Sequence, residues 1–102
     1  MTQAPRGRMI VGGTIQEQVL DAAQMVEYLA ELAGKLGIIV RWEEPIGEGG
    51  ICELRGKRYL FVDRSTDAYT QLEVMANALC DEPLEDIFIL PEVRERLDHA
   101  RA

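Results

Sequence analysis

The stretch GGICELRGKRYLFV, residues 49–62, predicts a β-hairpin around which the rest of the chain can be arranged. Residues 51–54 and 58–62 are short runs rich in β-branched, aromatic and other apolar types, as is typical of strands. Residues 55–57 lie between these runs and contain a glycine, so they predict a three-residue turn.

The length of this turn determines which side chains share a face of the hairpin. With a three-residue turn, one face carries four apolar side chains and is expected to contact the core: Cys52, Leu54, Leu60 and Val62. The other face carries Glu53, Tyr59 and Phe61. This second face is partly apolar, and we predict Tyr59 and Phe61 as interface residues.

A long amphipathic helix is predicted before the hairpin. Thr14 and Glu17 have the spacing of a capping box, in which each side chain binds a free backbone N–H of the first turn. Apolar residues then recur at steps of three and four, the spacing of one helical face: Ile15, Val19, Ala22, Val26, Leu29, Ala33 and Leu36. Gly37 provides a stop. We therefore expect one helix over residues 14–36, after a flexible arm at residues 1–13.

Two segments connect this helix to the hairpin. Residues 38–42 (IIVRW) predict a short strand because they are rich in β-branched types. Residues 43–50 (EEPIGEGG) predict a loop because a proline and three glycines interrupt regular strand pairing.

The second half of the chain predicts two more helices. The first runs from about Thr66 or Asp67 to Cys80, and its candidate N-caps are Ser65, Thr66 and Asp67. Its buried stripe consists of Leu72, Met75, Ala76 and Leu79. Residues 87–90 (IFIL) form either a short strand or a buried extended segment. Pro91 suits the first position of a last helix, which is anchored by Val93 and Leu97.

These elements predict an α+β fold with the helices on one face of a small sheet. We expect a long N-terminal helix, a mainly antiparallel sheet of about three strands with a possible short fourth, a second helix and a short C-terminal helix. The length of 102 residues fits one domain, which we place at residues 14–102.

Composition excludes several classes of partner from our expectations. The net charge of −7 opposes attraction to nucleic acid and to anionic membranes, so we expect neither. The longest apolar runs are only a few residues, far below the roughly 20 that a membrane span needs. No apolar stretch follows Arg6 and Arg8, so a signal peptide is not predicted and we expect a soluble, cytoplasmic protein.

The two cysteines, Cys52 and Cys80, are expected to be reduced thiols that pack as small hydrophobic residues. A closed zinc site needs four nitrogen or sulfur ligands, and His99 is the only histidine. We therefore predict no metal site and no cofactor. An alternative remains open, in which Cys52 and Cys80 approach each other in the fold and bind a metal or a ligand.

Charge is distributed unevenly along the chain. Residues 65–93 contain no lysine or arginine but seven acidic residues: Asp67, Glu73, Asp81, Glu82, Glu85, Asp86 and Glu92. The segment before it contains Arg41, Arg55, Lys57, Arg58 and Arg64. Two interpretations fit this pattern: a solvated surface with local ion pairs, or a polar protein–protein interface with complementary patches.

No motif predicts a catalytic residue. The glycine-rich residues 47–50 precede a strand rather than a helix and lack the ending of a phosphate-binding loop. Three pairs of carboxylates are sequence neighbours in predicted loops, where we expect them to be solvated: Glu43-Glu44, Asp81-Glu82 and Glu85-Asp86. Neither Cys80 nor Ser65 has a local signature of an activated nucleophile. Trp42, beside Arg41, is expected in the core rather than stacked on a nucleotide.

Two resemblances follow from the hairpin and the helix after it. The run GGICELRGKR, residues 49–58, with LFV at residues 60–62 and LPEVRE at residues 90–95, resembles a family of small uncharacterised bacterial proteins. That resemblance covers roughly residues 15–97 and implies no activity. The order of elements is also similar to the core of ImmA/IrrE-type zinc peptidases, whose corresponding helix carries an HExxH motif. Residues 77–81 (NALCD) fall at that position without either histidine or the glutamate, so this resemblance implies a scaffold without the zinc site.

Three functional hypotheses follow from the sequence. The leading one is a non-catalytic protein–protein interaction module that associates with itself, because Tyr59 and Phe61 lie opposite the expected core face. The second is a small metal- or ligand-binding protein or enzyme that uses Cys52 and Cys80. The third is a regulatory domain that docks on a partner protein through residues 65–93.

Overall fold

Six regular elements form the part of the chain that the structure, a computed structural model, describes: residues 20–44 and 50–102. In chain order they are α1 (Ala22–Lys35), β1 (Ile38–Glu43), β2 (Gly50–Leu54), β3 (Lys57–Asp63), α2 (Ala68–Leu79) and α3 (Pro91–Arg101). The α+β class and the number of strands are as predicted. The arm at residues 1–13, the capping box at Thr14 and Glu17, and most of the glycine-rich loop lie outside the described residues.

Helix α1 begins at Ala22 and residues 20 and 21 are not helical, so the prediction of one continuous helix over residues 14–36 is wrong. Asp21 has extended backbone angles, with φ −82° and ψ 175°. Its Oδ1 accepts a hydrogen bond from the N–H of Gln24 at 2.8 Å, and Gln24 Oε1 accepts from the N–H of Asp21 at 2.9 Å. A capping box at these two residues therefore begins the described helix.

The sheet has the strand order β1-β3-β2, with β1 parallel and β2 antiparallel to β3. The prediction of a mainly antiparallel sheet is therefore wrong for one of its two pairings. β3 carries the apolar sequence YLFV and occupies the central position, which leaves β1 and β2 as edges. Residues 87–90 form neither a fourth strand nor a buried extended segment: they are irregular, with Ile89 buried but Phe88 77% exposed.

The hairpin turn contains two residues rather than three. Arg55 has φ 54° and Gly56 has φ 80°, the two positive angles that a tight hairpin turn requires. Cys52 consequently lies opposite Tyr59 in the register, and Leu54 lies opposite Lys57. Because a shift of one residue reverses every side chain of a strand, the predicted placement of Cys52 and Leu54 on the core face is wrong.

The helices cover one face of the sheet and enclose the core. Ile38, Leu60 and Val62 point from the sheet into this core, with Ile51 half-buried beside them. Helix α3 begins at Pro91, with Val93 and Leu97 buried as predicted. The buried stripe of α2 is also the predicted one: Leu72, Met75, Ala76 and Leu79.

Side chains close both ends of α2. Asp67 is its N-cap, as predicted among three candidates, and accepts a hydrogen bond from the N–H of Thr70 at 2.8 Å. At the other end, the Arg101 guanidinium of α3 donates to the carbonyl of Cys80, at 3.1 Å from Nε. A cation at this position satisfies a free carbonyl and opposes the helix dipole. These contacts fix the helical layer that covers the sheet.

A candidate interaction surface on the open face of the sheet

The face of the sheet opposite the helices is the strongest candidate for a functional surface. Strand alternation and the register place nine side-chain positions on it: Ile39, Arg41, Glu43, Cys52, Leu54, Lys57, Tyr59, Phe61 and Asp63. We call this surface the open face. No described helix packs on it, since α1 and α2 contact the sheet from the other side.

The centre of the open face is apolar. The rings of Tyr59 and Phe61 stack with centroids 5.9 Å apart and an angle of 28° between their planes. Both were predicted to lie opposite the core face, and the structure confirms that placement. Ile39 of β1 is 43% exposed beside Tyr59, and Leu54 of β2 is 52% exposed. Surplus exposed apolar area of this kind is a common mark of an interaction site.

Charge is divided between the two ends of the open face. Lys57 lies at the end near the hairpin turn, where Arg55 of the turn adds a second cation. Glu43 and Asp63 are partners in the register at the other end. Within the described residues, neither Arg55 nor Lys57 has an ion-pair partner. The face therefore has a basic end and an acidic end, with aromatic rings between them.

The acidic end is held in place by local hydrogen bonds. The Ser65 hydroxyl donates to Asp63 Oδ1 at 2.6 Å, and the Ser65 N–H donates to the same oxygen at 2.9 Å. These bonds, the hydroxyl one foremost, hold the pKa of Asp63 below its usual value. The carboxylate of Asp63 is therefore ionised at neutral pH. Beside it, Arg41 forms an ion pair with Glu43 at 2.9 Å.

An ion pair joins the covered side of the hairpin to the loop after α2. Arg58 Nη1 lies 3.0 Å from Glu82 Oε1, and a second bond joins Nη2 to Oε2. Hydrogen bonding to Glu82 raises the pKa of Arg58. This pair fits the interpretation of the uneven charge as local ion pairing, because a basic residue of the hairpin meets an acidic residue of the 65–93 segment.

The two cysteines lie on opposite sides of the sheet. Cys80 is 4% exposed in the core beneath the helices, whereas Cys52 is exposed on the open face. They do not form the shared site that the second hypothesis requires. Residues 20–44 and 50–102 also contain no cluster of three or more histidine, cysteine or acidic side chains able to hold a metal ion.

Trp42, Ser65 and His99 lie in separate parts of the described fold and do not form a catalytic arrangement with one another. Trp42 was expected in the core but is 37% exposed, because it lies near the end of edge strand β1. The Ser65 hydroxyl is used in the turn with Asp63, and His99 is exposed on α3.

Sequence reasoning placed Tyr59, Phe61 and Glu53 on this face, but Glu53 lies opposite Arg58 on the covered side. Of the seven members that it missed, three are Ile39, Cys52 and Leu54. Cys52 and Leu54 were missed because the turn was taken to be one residue too long. Ile39 had a usable signal, since Ile38 and Val40 alternate with it along β1 and must point the other way.

Comparison of the chain with models of protein families, with curated proteins and with solved structures finds no match. Of the helices in the described parts of the chain, none has the length and apolar character needed to cross a membrane. The open face is therefore the feature of the molecule that bears on function.

Proposed function

We propose that this domain is a non-catalytic interaction module that associates with a second copy of itself through the open face. The observation that carries the proposal lies within β3. Leu60 and Val62 are completely buried by the helices, whereas the stacked rings of Tyr59 and Phe61 point away from every described helix. Aromatic side chains supply much of the binding energy in protein interfaces.

The dimensions of the open face support a reversible association. The seven residues of β3 extend roughly 23 Å, and three strands are roughly 14 Å wide. The planar area is about 320 Å², less than the roughly 800 Å² that each partner contributes to a standard interface. We therefore expect a dimer that forms at micromolar or higher protein concentration and dissociates on dilution.

The charges of the open face favour a second copy over a membrane or nucleic acid. The net charge of −7 opposes approach to a membrane, to nucleic acid and to a second copy alike, so the preference depends on the local charges of the open face. The open face itself carries cations and anions together, in Lys57 and Arg41 and in Glu43 and Asp63. A surface with both signs can be complementary to itself, as a two-fold interface requires.

Sedimentation equilibrium of the untagged protein over a range of concentrations tests this proposal. The variant with Tyr59→Ser and Phe61→Ser should dimerise at least tenfold more weakly than the wild type, because it loses the apolar centre of the interface. The matched control replaces Tyr69 and Phe88 with serine. Tyr69 lies on α2 and Phe88 in the segment before α3, where they are 74% and 77% exposed, and neither belongs to the sheet, so their loss should leave dimerisation unchanged.

Two outcomes would contradict the proposal. One is a wild type that stays monomeric at millimolar concentration. If, in addition, the Tyr59 and Phe61 variant unfolded more easily as a monomer, the open face would be covered within the same chain. The other is equal dimerisation of the wild type and that variant, which would place the interface elsewhere.

A further inference from the structure

We infer that the two copies pack their open faces with their strands antiparallel, so that the basic end of each meets the acidic end of the other. This inference depends on the proposed function, because it assigns the orientation of the same interface. It identifies the partner surface as an open face of identical composition and reversed direction.

The order of residues along the open face carries the inference. Lys57 begins β3 and Asp63 ends it, about 20 Å away along the strand. Tyr59 and Phe61 lie between them. On β1, Glu43 lies beside Asp63, so the acidic end spans two strands. The basic end likewise has two cations, since Arg55 in the turn is close in sequence to Lys57. Apart from Arg41, which forms an ion pair with Glu43, the charges are therefore segregated by direction along the strands.

A two-fold axis can relate two such faces in two simple ways. When the axis lies in the interface and perpendicular to β3, the strands are antiparallel, and Lys57 of one copy approaches Asp63 and Glu43 of the other. Tyr59 of each copy then lies over Phe61 of the other. When the axis is parallel to β3, Lys57 meets a second Lys57 and Asp63 meets a second Asp63. Like charges facing each other across an interface oppose association.

The hydrogen bonding of the charged groups leaves capacity for this contact. Both bonds from Ser65 reach Asp63 Oδ1, and no described residue donates a hydrogen bond to Oδ2. The ion pair of Arg41 uses Glu43 Oε2. Lys57 is exposed and unpaired among the described residues. Each acidic group thus keeps one carboxylate oxygen for a cation of the second copy.

Charge reversal distinguishes the two orientations. We choose Lys57→Glu and Glu43→Lys, and leave Asp63 intact because it holds the turn with Ser65. In the antiparallel arrangement, K57E places a carboxylate at position 57 against Glu43 and Asp63 of the other copy, at both ends of the interface. Its dimer should be about tenfold weaker than that of the wild type at low salt, and the difference should shrink at high salt.

The double variant K57E/E43K provides the decisive measurement. In the antiparallel arrangement the new carboxylate at position 57 meets the new ammonium group at position 43 of the second copy, so dimerisation should return to within about threefold of the wild type. In the parallel arrangement, K57E alone would dimerise as the wild type does. A mixture of K57E with wild type would then form a heterodimer tighter than either homodimer, and this would overturn the inference.

Failure of the inference and failure of the proposed function have different signatures. A monomeric wild type overturns both. A wild-type dimer that Tyr59→Ser and Phe61→Ser weaken, but that K57E leaves unchanged, overturns the orientation only. Circular dichroism and thermal unfolding at low concentration show whether each variant is folded, and E43K alone serves as a second single variant if K57E unfolds.

Discussion

The two faces of the sheet differ in burial, although the central strand β3 presents apolar side chains to both. On the covered face, Leu60 and Val62 of β3 are completely buried beneath α1 and α2. On the open face, Tyr59 and Phe61 of the same strand stack on each other and remain half-exposed. The difference does not come from composition, since YLFV is apolar at every position.

The comparison separates residues that hold the domain together from residues that are available to a partner. A strand with one buried and one solvated face usually alternates apolar and polar side chains. β3 departs from that alternation on the side that the described helices leave uncovered. The additional apolar side chains are the ones that the proposed interface uses.

The largest effect is expected for Leu60→Ala, which should lower the free energy of unfolding by about 2–5 kcal/mol because it leaves a cavity in the core. The adjacent change Phe61→Ala should cost less than about 1.5 kcal/mol in the monomer, since its ring is half-exposed. Urea unfolding at a concentration below the dimer range compares the two. Equal losses would mean that residues of the same chain cover the open face.

A second neighbouring pair compares the charges of the two faces. Arg58→Met breaks the ion pair with Glu82, whose side chain is only 12% exposed, so a mostly buried carboxylate loses its partner. We expect the Tm to fall by about 4–8 °C. Lys57→Met removes an exposed cation that has no ion-pair partner among the described residues, and it should change the Tm by less than about 2 °C. Thermal unfolding at low protein concentration measures both.

If the Tm fell less for Arg58→Met than for Lys57→Met, the ion pair of Arg58 would not stabilise the fold as expected. The change Glu82→Gln is the matched control for the same pair. In Glu82→Gln the group left without its partner is Arg58, whose side chain is 37% exposed and can be solvated. This variant should therefore lower the Tm by less than Arg58→Met, which leaves the mostly buried Glu82 unpaired.

The parts of the fold that were predicted correctly depend on local signals. The N-cap at Asp67 and the proline at the start of α3 each act within one helical turn. The buried stripe of α2 follows from helical periodicity alone. The placement of Tyr59 and Phe61 opposite Leu60 follows from strand alternation and does not depend on the turn.

The parts that were predicted wrongly depend on a choice between two turn lengths or on pairing between distant residues. Arg55 adopts a left-handed backbone that few non-glycine residues adopt, so the sequence Arg-Gly does not identify a two-residue turn as Asn-Gly would. That error moved Cys52 and Leu54 to the wrong face. The parallel pairing of β1 with β3 joins residues about 20 positions apart, which no short-range pattern specifies.

The start of α2 tests how firmly the covering layer is attached. Asp67→Ala removes the N-cap and should lower the Tm by about 4 °C, whereas Asp67→Asn keeps a capping oxygen and should lower it by less. Hydrogen bonds from Thr70, by its side chain and its backbone N–H, hold the pKa of Asp67 below the usual 3.8. Differential scanning calorimetry from pH 7 to pH 3 measures both variants.

The pH dependence has a definite sign. Because the pKa of Asp67 is lower in the folded state, its ionised form stabilises the fold fully above the unfolded-state value of about 3.8. That contribution is lost as the pH falls through the folded-state pKa. The advantage of the wild type over Asp67→Asn should therefore shrink toward pH 3. An advantage that grows on acidification would show that the carboxylate is not the stabilised form.

Labelling of the two thiols compares the two faces most directly and requires no mutation. A maleimide should modify exposed Cys52 at the rate of a free thiol and buried Cys80 at least about 100-fold more slowly, because Cys80 reacts only when the core opens. Cys52 lies beside Tyr59 on the open face, so its rate should fall as dimer forms. Peptide mass spectrometry follows each site separately, with Cys80 as the internal reference. A Cys52 rate that is independent of protein concentration, in a protein shown to dimerise, would place the interface away from the open face.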